Sequence, residues 1–389
     1  MDPIRNPFVP GAGAAPPEIA GRERLIGRAE IALRRALQGR PAKSFIAVGL
    51  RGVGKTVVLN RVRNLADELG YRSCAIEAQE AKSLPELLIP HLRRMTLELD
   101  RIGALSEHVK RALRVLKSFT TGLKVRYGDL QLDVQAEAGV ADSGDLEADL
   151  PELIAALGRA AKARETGIAL VIDEIQFLGE RDMSALIIAM HRVMQEQLPV
   201  VMVAAGLPQV VALSGRSKSY AERLFDYPAL GALSDEDART ALVEPARREE
   251  VAFSDAALDA ILRITEGYPY FLQEWAYQAW NVAKGPVIDA ADVSEATGAA
   301  IEQLDGSFFR MRYERLTPRE RAYCQAMAEL GPGPHRSGDI AARLGLRVQT
   351  VGPLRQNLIR KGMVYSPAHG DTAFTVPMFD QYLHRLQGH

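Results

Sequence analysis

Apolar positions in the first part of the chain follow two patterns that alternate. Short, nearly continuous apolar runs at residues 44–48, 168–172 and 200–205 are typical of strands buried on both faces. Residues 72–77 form a further candidate strand. Between these runs, longer segments have apolar residues at helical spacing, notably 23–38, 149–164 and 182–197. Strands that alternate with helices predict an α/β fold with a parallel sheet and helices on both faces.

The pattern changes after about residue 231, where the strand signals stop. Residues 235–312 read as successive helices at 235–250, 255–266, 270–283 and 290–312. In the last segment, helices are predicted from Thr317-Pro318, over 338–344 and from near Thr350. Two short strands, 363–365 and 373–375, can pair around a turn at 369–371. This order predicts a winged helix-turn-helix unit.

These changes divide the chain into four parts. We predict a Pro/Gly-rich N-terminal segment (1–22), an α/β core (23–230), a helical domain (231–315) and a winged helix-turn-helix domain (316–389). The N-terminal segment should either dangle or lie across another domain. Within the core, 85–117 reads as one long helical stretch, 123–135 as a hairpin and 137–149 as a loop.

The first strand leads into a glycine-rich motif. Residues 49–56 read Gly-Leu-Arg-Gly-Val-Gly-Lys-Thr, which fits the phosphate-binding pattern G-x-x-x-x-G-K-[ST] between a strand and a helix. Glycines let backbone N–H groups surround phosphates, and the helix start adds partial positive charge. Lys55 is the expected point charge for the outer phosphates, and Thr56 the expected Mg²⁺ ligand. The candidate nucleotide-binding residues of the loop are Gly49, Arg51, Gly52, Val53, Gly54, Lys55, Thr56 and Val57.

The strand at 168–172 ends in two carboxylates, Asp173 and Glu174. A carboxylate at the end of a buried strand can hold the shell of a magnesium ion, and we assign that role to Asp173. Glu174 would orient or deprotonate the attacking water, so it is the candidate catalytic residue together with Lys55.

Composition excludes some classes of protein. Hydrophobic residues make up 47% and charged residues 25% of the chain, and the net charge of −1 argues against a polyanion binder with charge spread everywhere. Cys74 and Cys324 lie far apart without metal-ligand spacing, so we expect a reduced, cytoplasmic setting. No apolar run reaches membrane-spanning length, and no membrane partner is expected.

Taken together, these motifs make the chain resemble an AAA-related P-loop ATPase of the archaeal-type/STAND and Orc1/Cdc6-like group. The resemblance is carried by residues 16–23, 49–56, 171–176, 267–269, 358–362 and 374–377. It implies ATP and Mg²⁺ as ligands and hydrolysis to ADP and phosphate. It also implies that Arg22 lies near the adenine and ribose and that Pro269 packs on the base. A helix-entry turn with a surface arginine, and a turn before a helix, are the alternatives for these two residues.

The chain also departs from better-studied members of that group. Residues 204–206 offer no Asn or Thr to sense a terminal phosphate, and the helical domain has no arginine at an obvious sensing position. Arg216 and Arg223 lie where an arginine finger for a neighbouring subunit could sit, although surface arginines are common. If either serves, a nucleotide-dependent homo-oligomer is expected. If neither serves, hydrolysis should be slow and the protein more a switch than a motor.

The last segment has a charge of its own. In residues 316–389, nine Arg and Lys face five acids, a balance of +4 that leaves −5 for residues 1–315. Arg347, Arg355 and Arg360 are expected outside the core of the third helix, where they could contact double-stranded DNA. The unit could instead pack on the ATPase or on a protein partner. We therefore expect a nucleotide-controlled ATPase switch. The alternative is a DNA-binding regulator in which ATP is mainly a structural ligand.

Overall fold

The computed structural model describes residues 1–11, 13, 16–100, 107–123 and 134–387. The chain divides into two compact units. The first comprises Met1–Glu23, Leu50–Val57 and Leu230–His389, and the second comprises Arg24–Gly49 and Val58–Ala229. The phosphate-loop residues 50–57 thus belong to the first unit, together with the C-terminal part of the chain.

The second unit is built on a parallel sheet. Its strands are β1 (Ser44–Gly49), β2 (Arg72–Glu77), β3 (Ile168–Asp173), β4 (Val200–Gly206) and β5 (Phe225–Asp226), in the order β2-β3-β4-β1-β5, and β6 (Ala229–Leu230) also pairs with β1. The pairs β2–β3, β3–β4, β1–β4 and β1–β5 are all parallel. The predicted α/β class with a parallel sheet is confirmed, and β2 has the predicted bounds.

Helices alternate with these strands. They are α1 (Glu23–Leu37), α2 (Lys55–Glu68), α3 (Leu84–Asp100), α4 (Glu107–Gly122), α5 (Leu146–Ala163), α6 (Glu180–Gln195), α7 (Gln209–Ser217) and α8 (Ala221–Leu224), with a 3-10 turn at Ile175–Phe177. The described residues of the helical stretch predicted for 85–117 belong to α3 and α4, and the part at 101–106 lies outside the described residues. The loop predicted to 149 ends earlier, since Asp145 caps α5 by accepting from Glu147 N. The predicted hairpin lies largely at 124–133, outside the described residues.

Burial explains why the key strands read as apolar runs. Every residue of β4 is buried, and β3 is buried from Ile168 to Ile172 and becomes half-buried at Asp173. A parallel strand covered on both faces has no side that contacts water, so apolar side chains are favoured at successive positions. The end of β3 is therefore where polar groups can first be solvated.

The first unit contains a helical region. Its elements are α9 (Asp235–Arg248), β7 (Ala252–Phe253), α10 (Asp255–Thr265), α11 (Pro269–Val282), β8 (Val287–Ile288), α12 (Ala290–Gln303), a π-helix (Leu304–Phe309) and α13 (Arg310–Glu314). The prediction that strands stop after 231 was wrong, since β7 and β8 pair in parallel. The helix predicted for 290–312 is divided by the π-helix. Phe271 and Trp275 are fully buried, as expected of core aromatic residues.

The C-terminal region alternates helices with short strands. It comprises α14 (Pro318–Glu329), β9 (His335–Arg336), α15 (Ser337–Arg343), α16 (Val348–Arg360), β10 (Val364–Tyr365), β11 (Asp371–Phe374) and α17 (Phe379–Gln387). The strands form an antiparallel sheet in the order β10-β11-β9. This arrangement is compatible with the predicted winged helix, which stays a prediction, as do the four domain boundaries.

The N-terminal segment lies along α11 of the same unit. After a 3-10 turn at Pro3–Arg5, Phe8 is buried with its ring centroid 6.5 Å from that of Trp280. Trp280 Nε1 donates to the carbonyl of Asp2 at 3.0 Å, and Asn6 Nδ2 donates to the carbonyl of Tyr277 at 3.0 Å. Of the two placements expected for this segment, the described residues adopt the one that packs on another part of the chain.

Candidate functional site

The glycine-rich motif forms a loop between β1 and α2. Gly52 and Gly54 have φ angles of +84° and +89°, in the left-handed region that favours glycine. A Cβ atom at Gly54 would meet nothing within 4 Å, so the backbone is accessible there. The helix begins at Lys55, which directs the first N–H groups of α2 toward the loop. This is a cradle of the shape and polarity that a phosphate chain needs.

Lys55 is placed inside this loop. Its side chain is buried, with a relative exposure of 6%, and Nζ donates to the carbonyl of Leu50 at 2.8 Å. Thr56 is exposed in the first turn of α2, while Val57 is half-buried. A buried ammonium held by a carbonyl of its own loop is already positioned where it can exchange that acceptor for a phosphate oxygen.

Arg22 holds the loop from the N-terminal side. Its Nη2 donates to the carbonyl of Val53 at 3.2 Å and to the carbonyl of Gly231 at 2.6 Å. Burial lowers the pKa of Arg22, and the nearby charges of Asp237 and Glu23 oppose that shift. Arg22 therefore contacts the phosphate loop. Its contact with the adenine and ribose of a nucleotide stays a prediction.

The start of α11 packs directly on the loop. Tyr268 Oη donates to the carbonyl of Arg51, and Tyr270 N donates to the carbonyl of Gly52 at 3.2 Å. A Cβ atom at Gly52 would lie 3.0 Å from Tyr268 Cε1, so this position needs glycine for space as well as for its φ angle. Pro269 is half-buried and is the first residue of the helix, between the two tyrosines.

Residues from the C-terminal region also contact the loop. Arg51 N donates to the carbonyl of Thr375 at 3.3 Å, and Arg51 Nε donates to the carbonyl of Gly362 at 3.3 Å. Thr375 is fully buried, and its Oγ1 donates to the same Gly362 carbonyl at 2.6 Å. Backbone carbonyls around β10 and β11 thus accept two hydrogen bonds from the arginine of the phosphate loop.

The acidic strand end is organised by short-range contacts within the second unit. Glu174 N donates to Asp173 Oδ1 at 2.8 Å, and Glu174 has a left-handed backbone with φ +49°. Such a conformation is uncommon for a residue with a long side chain, and it turns the chain sharply after β3. Asp173 and Glu174 are both half-buried.

Gln176 orients Glu174, and sequence reasoning missed this role. Gln176 Nε2 donates to Glu174 Oε2, and Gln176 Oε1 accepts from Leu207 N at 2.9 Å. A Cβ atom at Gly206 would lie 2.7 Å from Gln176 Oε1, so the glycine at the end of β4 leaves room for this amide. The only signal in the sequence was a polar residue two positions after Glu174.

The sheet order relates this strand end to the strand that precedes the loop. Because β3, β4 and β1 are neighbours in a parallel sheet, their carboxyl ends lie at one edge. Two inter-strand spacings place the ends of β1 and β3 roughly 10 Å apart. Gly49 and Asp173 therefore occupy the same edge of the sheet, where ligands of open α/β sheets bind.

The predicted arginine-finger candidates lie on the surface of the second unit. Arg216 Nε donates to Glu180 Oε1 at 2.9 Å, and both side chains are 61% exposed. Arg223 is exposed on the short helix α8. An exposed ion pair of this kind stabilises little, so Arg216 can exchange its partner at low cost.

The three arginines predicted for DNA contact differ in their surroundings. Arg347 precedes α16 and is exposed, and Arg360 is exposed at its end, where Nη2 donates to Asn357 Oδ1 at 3.2 Å. Arg355 instead donates to Thr372 Oγ1 at 2.8 Å, Ser366 Oγ at 2.7 Å and the Asp371 carbonyl at 2.8 Å. These bonds tie α16 to the β10–β11 hairpin and give Arg355 a structural role.

Comparisons with protein families support the sequence interpretation. Residues 18–203 match the AAA ATPase domain. Residues 306–383 match a domain of unknown function, DUF8462. No curated protein is similar to the chain. No helix within the described ranges combines the length and the apolar character needed to cross a membrane.

Several solved structures are similar. A Walker-type ATPase of Pyrococcus abyssi has a TM-score of 0.55 and 16% identity over 94% of this chain and 96% of its own. The Orc1 protein of Aeropyrum pernix, solved in complex with DNA, has a TM-score of 0.48 and 17% identity over 98% and 96%. The RuvB Holliday junction branch migration motor of Thermotoga maritima has a TM-score of 0.44 and 15% identity over 94% and 95%. The first of these likenesses bears on the fold alone, which is the P-loop NTPase fold.

Proposed function

We propose that the chain binds ATP with Mg²⁺, hydrolyses it and acts as a nucleotide-controlled switch, since residues 18–203 match the AAA ATPase domain. The observation that carries this proposal is the conformation of the loop. Two glycines in the left-handed region precede a helix that begins at the buried Lys55. These residues fit a triphosphate, since they offer backbone donors, a cation and open space at Gly54.

The residues have distinct proposed roles. The loop from Gly49 to Val57 binds the phosphates, and Lys55 neutralises their outer oxygens. Thr56 and Asp173 would hold Mg²⁺, an ion that supplies charge compensation on the terminal phosphates when bound. Glu174 accepts the proton of the attacking water, and Gln176 fixes the direction of its carboxylate. Arg22 and Pro269 are proposed to contact the sugar and the base.

The switch is proposed to use the contacts around the loop. The helical lid (231–315) contacts it through Tyr268 and Tyr270, and the winged helix domain (316–389) contacts it through Gly362 and Thr375. Any change of loop conformation on ATP binding must change these bonds, because they involve the loop backbone itself. Arg216 or Arg223 would act in hydrolysis only in a homo-oligomer, so assembly that depends on ATP would bring them into the mechanism.

Two substitutions test the ATPase proposal. Lys55→Ala should weaken ATP binding by roughly 10- to 100-fold, the loss expected for a charge-assisted bond. Glu174→Gln should keep ATP affinity and reduce phosphate release by roughly 100-fold or more. Binding is measured by calorimetry and phosphate release by a coupled assay at saturating ATP.

Matched controls come from the same region. Lys43→Ala removes an exposed lysine, and Glu165→Gln changes an exposed glutamate that also has a left-handed backbone, with φ +53°. Both controls should behave as wild type. Absence of ATP binding by the wild-type protein would end the proposal, and normal hydrolysis by Glu174→Gln would remove the catalytic assignment.

A second candidate function, a DNA-binding regulator in which ATP is mainly a structural ligand, is favoured by one observation. The face of α16 that carries Gln349, Gln356 and Arg360 is exposed, and Arg347 precedes it. A helix with an exposed basic and amide face can enter the major groove of double-stranded DNA. Arg355 is not needed for this contact, since its donors hold the hairpin.

Fluorescence anisotropy with duplex DNA at two salt concentrations tests this candidate. We expect binding that weakens with salt and is lost in Arg347→Glu/Arg360→Glu. The charge-matched control is Arg24→Glu/Arg40→Glu, which reverses two exposed arginines of the ATPase domain. Equal loss in both double variants would indicate non-specific attraction, and no binding at low salt would leave the C-terminal region as a packing or partner module.

A further inference from the structure

The N-terminal segment is bound to α11 at several points, and we call its residues 2–11 and 13 the strap. Asn6 Nδ2 donates to Asn281 Oδ1 at 3.1 Å, near the end of the helix. Further along the strap, Val9 N donates to Gln273 Oε1 at 3.1 Å. These bonds follow α11 from its last turn toward its start, which gives the strap a defined path.

Phe8 is the main anchor of the strap. Its side chain is 1% exposed, and its ring centroid lies 6.0 Å from that of Phe253 in β7. Arg5 adds bonds to Glu249, from Nε to Oε2 at 3.1 Å and from Nη2 to the carbonyl at 3.0 Å. The side chain of Ile4, by contrast, is 93% exposed. Docking of the strap therefore depends on the buried ring and on polar bonds, and hardly on the Ile4 side chain.

The strap ends at the phosphate loop. Gly13 has a φ angle of +74°, and a Cβ atom built there would lie 3.5 Å from Thr56 Cγ2. That separation is an ordinary van der Waals contact, so the strap backbone lies about one methyl group away from the methyl of Thr56. Thr56 is nevertheless exposed, and both residues belong to the first unit. The strap thus borders the residue proposed to bind Mg²⁺ and does not cover it.

The group of Thr56 that faces the strap is its methyl, and this affects the direction of the hydroxyl. Threonine in a helix divides between two χ1 rotamers, which exchange the positions of Cγ2 and Oγ1. The direction of the built Cβ atom shows that Gly13 turns a Cα hydrogen toward Thr56. Such a neighbour offers a hydroxyl no good acceptor and suits a methyl group. With the methyl held toward the strap, Oγ1 keeps one direction.

We propose that the docked strap fixes the χ1 rotamer of Thr56 and so preorganises its hydroxyl for Mg²⁺. The strap is a positioning element that acts through Thr56. This inference rests on the proposed function, because it requires Mg²⁺ and ATP at the loop. It adds a form of control, since undocking of the strap from α11 would weaken the binding of Mg·ATP. Coupling of this kind is reciprocal, so bound Mg·ATP favours the docked strap by the same factor.

The test is a double-mutant cycle between the anchor and the methyl group. Phe8→Ala should weaken Mg·ATP binding, measured by calorimetry, by about two- to threefold, the factor for fixing one of two or three staggered rotamers. Thr56→Ser keeps the hydroxyl and removes the methyl, so Phe8→Ala should have no measurable effect in that background. Ile4→Ala is the matched control on the strap and should leave the affinity unchanged in both backgrounds.

Docking of the strap is measured at Trp280, whose Nε1 donates to the carbonyl of Asp2. The chain has two tryptophans, so in Trp275→Phe the tryptophan emission comes from Trp280 alone. Acrylamide should quench this emission more strongly when Phe8→Ala is added. Saturating Mg·ATP should then reduce the quenching, whereas ATP with EDTA should not, because the coupling passes through the metal ligand.

Two results would overturn the proposal. One is an equal loss of Mg·ATP affinity in the wild-type and Thr56→Ser backgrounds, which would mean that the strap acts only through the stability of the helical lid. The other is unchanged affinity in a Phe8→Ala protein whose Trp280 has become accessible to acrylamide. If Phe8→Ala does not fold, Asn6→Ala takes its place in the cycle with the same expectations, since it removes two bonds to α11 and keeps the buried ring. Failure of the wild-type protein to bind Mg·ATP would instead overturn the proposed function.

Discussion

The phosphate loop and the acidic end of β3 are both predicted from short motifs, yet they are held by different kinds of contact. The loop backbone is held by residues far away in sequence, with Arg51 bound to Gly362 across 311 positions. The acidic end is held by its own neighbours: Glu174 binds Asp173 and Gln176, and Gln176 reaches 31 positions to Leu207.

This difference has a functional consequence. The loop is bonded to Tyr268 and Tyr270 at the start of α11 and to Gly362 and Thr375 in the C-terminal region, so a change in the loop would change bonds to both regions. Two contacts of Glu174, those with Asp173 and Gln176, lie at the edge of the sheet, where β3 is buried up to Ile172 and β4 throughout. A general base benefits from a rigid support, since small displacements reduce catalysis. The loop is therefore expected to be the adjustable part and the strand end the fixed part.

The largest expected effect is a loss of stability that differs between two glycines of the loop. Gly52→Ala and Gly54→Ala both place a side chain at a left-handed φ, at a cost of about 1–2 kcal/mol. At Gly52 the new Cβ would also lie 3.0 Å from Tyr268 Cε1 and 3.1 Å from Tyr270 Cβ, whereas at Gly54 it meets nothing within 4 Å. We therefore expect Gly52→Ala, but not Gly54→Ala, to lose a further amount of unfolding free energy on the order of 1–3 kcal/mol.

The measurement is the urea midpoint of the nucleotide-free proteins. Gly54→Ala is the matched control, because it has the backbone strain without the contact with α11. In the Tyr268→Ala background, Gly52→Ala should cost less than it does in the wild type, since the close contact with the ring is removed. Equal midpoints for the two single variants would show that the lid does not press on the loop in solution.

A smaller effect, on phosphate release, is expected at the acidic end of β3. Gln176→Ala removes the donor that orients Glu174, while both proposed catalytic groups remain. We expect phosphate release to fall by roughly tenfold, the loss of one hydrogen bond to a charged group, with ATP affinity unchanged.

Gln176→Glu is an informative companion variant. It keeps the size of the side chain but replaces the amide donor with a second carboxylate beside Glu174, so repulsion between like charges takes the place of the hydrogen bond and phosphate release should fall further. Gln209→Ala, which changes a glutamine at the start of α7, serves as the control. A parallel fall in ATP affinity and in turnover for Gln176→Ala would indicate a general disturbance of the sheet edge and not a role in positioning.

The contrast between local motifs and distant contacts also explains how much of the fold and the site could be predicted from the sequence. Strands β1 to β4 and the site motifs were recognisable because continuous apolar burial and phosphate binding each need particular residue types in sequence. The two-residue strands β7 and β8 are too short to show periodicity. The π-helix from Leu304 to Phe309 keeps nearly helical spacing, so the sequence pattern predicts a single helix there.

The residues that bond to the loop could not be predicted from the sequence, for a related reason. Most of their bonds to the loop use backbone carbonyls and N–H groups, which every residue carries and no pattern displays. The Tyr268 hydroxyl also binds the loop, through the carbonyl of Arg51, and no sequence motif assigns it that role. Gln176 lay next to a recognised motif, but its second partner, Leu207 N, belongs to another strand end. Such contacts follow from tertiary packing.

The smallest expected effects are those of removing one tyrosine hydroxyl from each unit. Tyr268→Phe removes the hydroxyl that donates to the carbonyl of Arg51, and Tyr71→Phe removes one that donates to the carbonyl of Leu33 at 2.6 Å. Both tyrosines are buried, and burial raises the pKa of each phenol, so neither is ionised near neutral pH. Each variant should lose about 0.5–1.5 kcal/mol of unfolding free energy.

Only Tyr268→Phe should alter nucleotide binding, because its hydroxyl bonds the loop backbone whereas that of Tyr71 bonds α1. The expected change in ATP affinity is about two- to fivefold, and its sign is informative. Weaker binding would mean that Tyr268 holds the loop in its binding conformation. Tighter binding would mean that the bond must break when ATP enters, which would make the lid a restraint on the loop. Identical ATP affinities for the two variants would contradict the view that the loop is controlled by its distant partners.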